Sequence, residues 1–129
     1  MQFSKAAEYA LLGLTHLASA EHSSASVGAI AREEKLSLYF LRNVFQKLRA
    51  GKLVIANQRS GYTLARSPEK ISLQDVLAAV EHNLTLHACL AKKSAGCAHA
   101  AKCKIVLRLA KVQKNLNAEL AKIKITDLI

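Results

Sequence analysis

Apolar positions follow two rhythms along the chain, and the switch between them marks its organisation. Ala7, Ala10, Leu11, Leu14 and Leu17 recur at helical spacing behind Ser4, a residue suited to cap a first helix. The polar run Glu21-His22-Ser23-Ser24 breaks that helix. Ser26 can cap a second, short helix holding Val27, Ile30 and Ala31. Ser37 can cap a third, in which Leu38, Leu41, Val44, Phe45 and Leu48 fall three and four residues apart. Gly51 follows where a helix C-terminus favours a left-handed residue. The rhythm then changes. Leu53-Val54-Ile55 reads as a short strand, Gln58-Arg59-Ser60-Gly61 as a turn, and Tyr62-Thr63-Leu64 as the returning strand. Ser67-Pro68 ends the hairpin. Ser72 with Asp75 predicts a capping box for a fourth helix carrying Leu73, Val76, Leu77 and Val80.

Residues 82–103 lose clear periodicity. They hold Cys89, Cys97 and Cys103, together with His82, His87 and His99. Beyond them Ile105, Leu109, Val112, Leu116, Leu120 and Ile123 recur at steps of 4, 3, 4, 4 and 3. This is a narrow apolar seam on a long helix whose other faces carry Lys and Asn. The rest of the chain offers little spare core to cover it, so a second copy of the same helix is the expected partner and the chain is expected to be a homodimer.

Three helices followed by a hairpin is the order of a winged helix. The predicted fold is mainly α: a winged helix-turn-helix domain over 1–81 with a small β-hairpin wing, a cysteine-containing loop over 82–103, and a long C-terminal dimerisation helix with a short tail over 104–129. The helices at 26–34 and 38–50 form the helix-turn-helix unit, whose second helix presents its N-terminal residues to the major groove of double-stranded DNA. Those residues are Ser37, Tyr39, Arg42 and Asn43, largely opposite the apolar face of Leu38, Leu41 and Phe45, with a phosphate as the alternative partner of Tyr39. Arginine bonds guanine bidentately, and asparagine does the same for adenine. Lys47, Arg49 and Lys52 fall toward the phosphate backbone, and Arg59 at the hairpin tip toward the minor groove.

Composition agrees with a polyanionic partner. The 129 residues carry 19 Lys and Arg against 9 Asp and Glu, a net charge of +10. No apolar run has the roughly 18 residues of a membrane span. The N-terminal segment lacks the features of a signal peptide. The expected location is the cytoplasm, with no membrane partner. An odd number of cysteines in a reducing compartment argues against a disulfide framework. There is no glycine-rich phosphate loop, nucleophile elbow or paired-carboxylate motif, so an enzyme is not expected.

Several runs carry a resemblance: Ser37-Leu38-Tyr39-Phe40-Leu41, Phe45-Gln46-Lys47-Leu48-Arg49-Ala50-Gly51-Lys52-Leu53-Val54, Gly61-Tyr62-Thr63-Leu64-Ala65-Arg66 and Ile71-Ser72-Leu73-Gln74-Asp75-Val76. In order, and with the cysteine cluster and long helix after them, they resemble the bacterial winged-helix iron–sulfur regulators of IscR and NsrR type. The resemblance implies a homodimeric regulator, expected to be a repressor, that binds palindromic promoter DNA. It further implies that Cys89, Cys97 and Cys103 hold a [2Fe-2S] or [4Fe-4S] cluster whose state, set by redox, nitric oxide, iron or cluster supply, controls DNA binding. The fourth ligand departs from the IscR pattern, because Val106 stands where those proteins carry a histidine. Some relatives use an acidic residue of the first helix, supplied by the other subunit, and Glu8 matches that position. His99 and His87 are the alternatives. Arg42 stands where IscR-like proteins have a glutamate, and the hairpin is shorter than usual with Ser60 in place of a common glycine.

On residue chemistry alone other readings of the cysteines stay open. The spacing Cys89-x7-Cys97-x5-Cys103 is neither a zinc ribbon nor a ferredoxin pattern. A metal-free thiol switch and a zinc site completed by His99 are the alternatives within a DNA-binding regulator. An iron–sulfur carrier that does not bind DNA is the alternative outside that class.

Overall fold

The computed structural model describes residues 3–19, 23–81 and 104–129. Helix α1 spans Lys5–Ala18, α2 Val27–Glu34, α3 Leu38–Ala50, α4 Leu73–Val80 and α5 Lys104–Lys122. Strands β1 Ser24–Ala25, β2 Val54–Asn57 and β3 Gly61–Leu64 form one small antiparallel sheet in the order β1-β3-β2. The first four helices begin at the serines that the pattern picked out. The Ser4, Ser26, Ser37 and Ser72 side chains accept from the amides of Ala7, Ala29, Phe40 and Asp75. In each case the hydroxyl satisfies a donor that the helix itself leaves unpaired.

The core lies where α1, α3 and α4 meet. Ala7, Ala10, Leu14, Leu41, Phe45, Leu48, Val76 and Leu77 are fully or almost fully buried there. Phe45 reaches from α3 to the sheet, with its ring centroid 4.9 Å from that of Tyr62 on β3. Buried His16 braces α1 against α2. Its Nε2 lies 3.5 Å from Glu33 Oε2 and its Nδ1 3.1 Å from Glu34 Oε1. A mainly helical winged-helix architecture is therefore what the sequence pattern anticipated.

Three features differ from the pattern. First, β1 pairs with β3 at Ser24↔Thr63 and Ala25↔Tyr62, where the sequence suggested only a break. A strand of two small residues has no periodicity to read, and it exists because β3 has a free edge to offer. Gly61 belongs to the same junction. Its φ is +87°, and a Cβ there would lie 2.4 Å from the Ala25 carbonyl oxygen, so only glycine fits.

Second, Gly51 is not the left-handed residue after α3. Its φ is −78°, and Lys52 takes the left-handed conformation at φ 61°. Gly51 is required for a different reason. A Cβ there would lie 2.8 Å from the Cβ of Ala79, so the missing side chain lets α3 and α4 close on each other.

Third, the segment after α5 returns to the domain. The Leu73 amide donates to Ile123 O at 2.8 Å and the Ile125 amide to Ile71 O at 2.9 Å, and Ser72 bridges antiparallel to Lys124. Ile125 is fully buried and begins a short 3-10 turn, Ile125–Leu128. The apolar seam of α5 is consequently divided. Leu120 is buried, Leu116 is partly buried against the same core, and Leu109 is half-buried. Ile105 and Val112 stay 68% and 52% exposed in the single chain.

Candidate nucleic-acid interface

Helix α3 has two contrasting faces. Leu41, Val44, Phe45 and Leu48 are buried, which fixes the helix to the core. Turned the other way are Tyr39, Arg42, Asn43 and Gln46, all exposed, with Tyr39 at 79%. These four fall at spacings of three, one and three, so they occupy one stripe of the helix surface. Ser37 caps the helix and is exposed, Lys47 is half-buried, and Arg49 is exposed at the C-terminal end. The structure thus brings Ser37, Tyr39, Arg42 and Asn43 to one exposed edge. Gln46 lies on the same edge and was not picked out from the sequence, although its position seven residues beyond Tyr39 carried the signal.

The wing places Arg59 at the tip of the β2–β3 hairpin. Asn57 pairs with Gly61, which leaves residues 58–60 as the loop. The Arg59 amide donates to Asn57 Oδ1 at 3.0 Å, and Arg59 itself is exposed. The elbow between α2 and α3 turns at Lys35, whose φ is 56°. The Leu36 amide closes that turn on Ala31 O at 2.8 Å.

Charge is distributed to match. Between Glu34 and Glu69 the chain has no carboxylate side chain, yet it carries Lys35, Arg42, Lys47, Arg49, Lys52, Arg59 and Arg66. The helix-turn-helix elbow, α3 and the wing therefore form a continuous cationic segment, the field expected of a surface that meets a phosphate backbone.

Of the residues singled out as cofactor ligands, Glu8 lies exposed in the first turn of α1. Cys89, Cys97, Cys103, His87 and His99 lie outside the described residues. Among the described residues no group of three His, Cys, Asp or Glu side chains is placed to hold a metal ion. No helix among them is long and apolar enough to cross a membrane.

Comparison with known proteins decides the class. The family model for Rrf2, described as an iron-dependent transcriptional regulator, matches residues 3–129. The chain belongs to the Rrf2 family. It is 33% identical over 89 residues to the HTH-type transcriptional regulator IscR of Cereibacter sphaeroides, an alignment that covers 65% of this chain and 57% of that protein. Along its full length it is 27% identical to an HTH-type regulator of Neisseria meningitidis serogroup A, covering 88% of that chain. The fold is similar to CymR, the global cysteine regulator of B. subtilis, with a TM-score of 0.76 at 22% identity over 99% of this chain and 95% of that one. It is also similar to T. potens IscR, with a TM-score of 0.68 at 23% identity over 99% of this chain and 85% of that one. Rrf2 proteins are DNA-binding transcriptional regulators and not enzymes, and the class read from the helix order and the charge is the class of the family.

Proposed function

We propose that this Rrf2 protein is a homodimeric repressor that reads promoter DNA with α3 and whose affinity is set by an iron–sulfur cluster. The reading rests on one observation. A helix anchored by buried Leu41, Val44, Phe45 and Leu48 presents Tyr39, Arg42, Asn43 and Gln46 as a single exposed polar stripe within a segment that has cations and no carboxylates. Ser37, Tyr39, Arg42 and Asn43 meet base edges in the major groove. Lys47 and Arg49 meet phosphates, and Arg59 enters the minor groove. Two copies place two such helices in successive major grooves, roughly 34 Å apart. The exposed Ile105 and Val112 of α5 support a second copy as the partner, since an apolar stripe of that spacing gains by burial.

Cys89, Cys97 and Cys103 are the proposed protein ligands of the cluster, with Glu8 as the fourth donor. Soft thiolates suit an iron–sulfur group, and the exposed Glu8 carboxylate in the first turn of α1 is a competent oxygen donor to complete the set, so the donor chemistry fits. His99 and His87 are the alternatives to Glu8. When bound, such a group supplies a centre that oxidants or nitric oxide can alter. The chain's own part is to tie the cysteine-containing loop, through Glu8 on α1, to the domain that contains α3.

Anaerobic purification with visible absorption and iron and sulfide assays tests the cofactor. A brown protein bleached by Cys97→Ala supports the cluster. A colourless, iron-free protein after reconstitution removes it and leaves zinc or a bare thiol switch. Glu8→Ala is expected to weaken the cluster or change its spectrum while the dimer persists. An unchanged spectrum moves the fourth ligand to His99 or His87. Selection from a random duplex pool tests the DNA reading, with Arg42→Ala expected to cost about 1–3 kcal/mol on the selected site.

A further inference from the structure

In a capping box the amide of the capping residue donates to a side-chain acceptor three residues on. Helix α4 has this box, with an aspartate in that place: the Ser72 amide donates to Asp75 Oδ2 at 3.0 Å. Helix α3 does not. The residue three beyond Ser37 is Phe40, which has no acceptor. The Ser37 amide instead donates to the hydroxyl oxygen of Tyr9, 3.2 Å away on α1. The replacement is a composite one. The Tyr9 and Phe40 rings meet edge to face at 4.9 Å and 82°. Lys5, one turn before Tyr9, sets its ammonium 5.5 Å from the Tyr9 ring centroid and 5.0 Å from that of Phe40. Tyr9 is buried, whereas Ser37 is exposed at the end of α3 that carries Tyr39, Arg42 and Asn43.

We infer that Tyr9, held by Lys5, is the positioning residue for the DNA-reading end of α3. It touches no base. It completes the cap of α3 from another helix, so the start of α3 is set by where α1 lies. The inference rests on the proposal that α3 reads DNA. It adds that α1 carries, side by side, the proposed ligand Glu8 and the residue that poses the reading helix. The start of α1 is itself held from the end of α4, where the Ser4 amide and hydroxyl both donate to Glu81 Oε1.

Base reading demands exact placement of side chains, while attraction to phosphates does not. Loss of the Tyr9 hydroxyl should therefore reduce discrimination and leave charge-driven binding alone. The experiment uses the full-length protein and two probes of equal length, a duplex selected by the wild type from a random pool and a scrambled duplex. Tyr9→Phe keeps the ring and removes the acceptor. It is expected to weaken binding to the selected duplex about fivefold, the factor for one net hydrogen bond, with scrambled-duplex affinity and salt slope unchanged. Lys5→Gln is expected to lose about twofold on the selected duplex; because Lys5 is exposed, this variant keeps the test usable if Tyr9→Phe is poorly folded. Since Lys5→Gln also removes a cation, its scrambled-duplex affinity must hold for its result to count in support. An unchanged ratio of selected to scrambled affinity in Tyr9→Phe overturns the inference. So does an equal loss on both duplexes accompanied by a lower Tm, which marks a purely structural role. A wild type that shows no preference for any sequence fails the DNA reading first, and the inference falls with it.

Discussion

Helices α3 and α5 are both amphipathic, and the chain uses them in opposite ways. On α3 the inner residues Leu41, Val44, Phe45 and Leu48 are buried in their own domain, while Leu38 at the first turn stays 38% exposed and most of the remaining exposed surface is polar or cationic. On α5 the firmest seating is toward the C-terminal end, through Leu116, Leu120 and the turn that follows, while Ile105, Leu107 and Val112 face solvent. The difference separates two needs. The reading role proposed for α3 calls for a fixed pose, which its buried residues provide within the chain. The dimer contact proposed for α5 calls for the opposite, an apolar stripe left partly uncovered in the single chain.

The contrast breaks most sharply at Phe45. Phe45→Ala should cost about 3–5 kcal/mol in denaturant unfolding, because a large ring between α3 and Tyr62 leaves a cavity that rigid neighbours cannot fill. The two halves of α5 should then respond unequally. Leu120→Ala is expected to lose about 2–3 kcal/mol at any protein concentration. Ile105→Ala and Val112→Ala should each change the stability of the single chain by under about 0.5 kcal/mol, and show their effect only as a Tm that depends more weakly on protein concentration. Equal losses in both halves would erase the distinction. Gly51→Ala should cost about 1–3 kcal/mol by thermal melting, since its methyl group would meet Ala79. The smallest effect is a gain. Lys52→Gly should raise stability by up to about 1 kcal/mol, because Lys52 holds the left-handed conformation that glycine adopts freely.

What was legible in the sequence follows from the kind of force involved. The four serine caps, the inner face of α3 and the hairpin are local, written in spacings of three and four or in turn residues, and all are present. The exchange of roles between Gly51 and Lys52 was not legible, because it depends on how closely α3 approaches Ala79 on α4. Strand β1 depends on the free edge of β3, and the burial of Ile125 on backbone partners at 71–73. At the candidate interface the exposed stripe could be read by helical periodicity, with Gln46 overlooked on it. The contact of Tyr9 with Ser37 could not, since nothing in either segment announces the other.

The return of the chain after α5 has a consequence for how the protein is made. Synthesis runs from the N-terminus, and domains tend to fold as they emerge. The edge at Ile71–Leu73 stays open until Ile125 has been synthesised, because that residue supplies both a buried side chain and an amide to Ile71. A nascent chain with all of its proposed DNA-reading residues exposed to the cell would thus still lack one wall of its core. Contacts between such distant stretches are the slow ones to form. Docking of Ile125 against Ile71 would therefore follow translation of the whole surface proposed to read DNA.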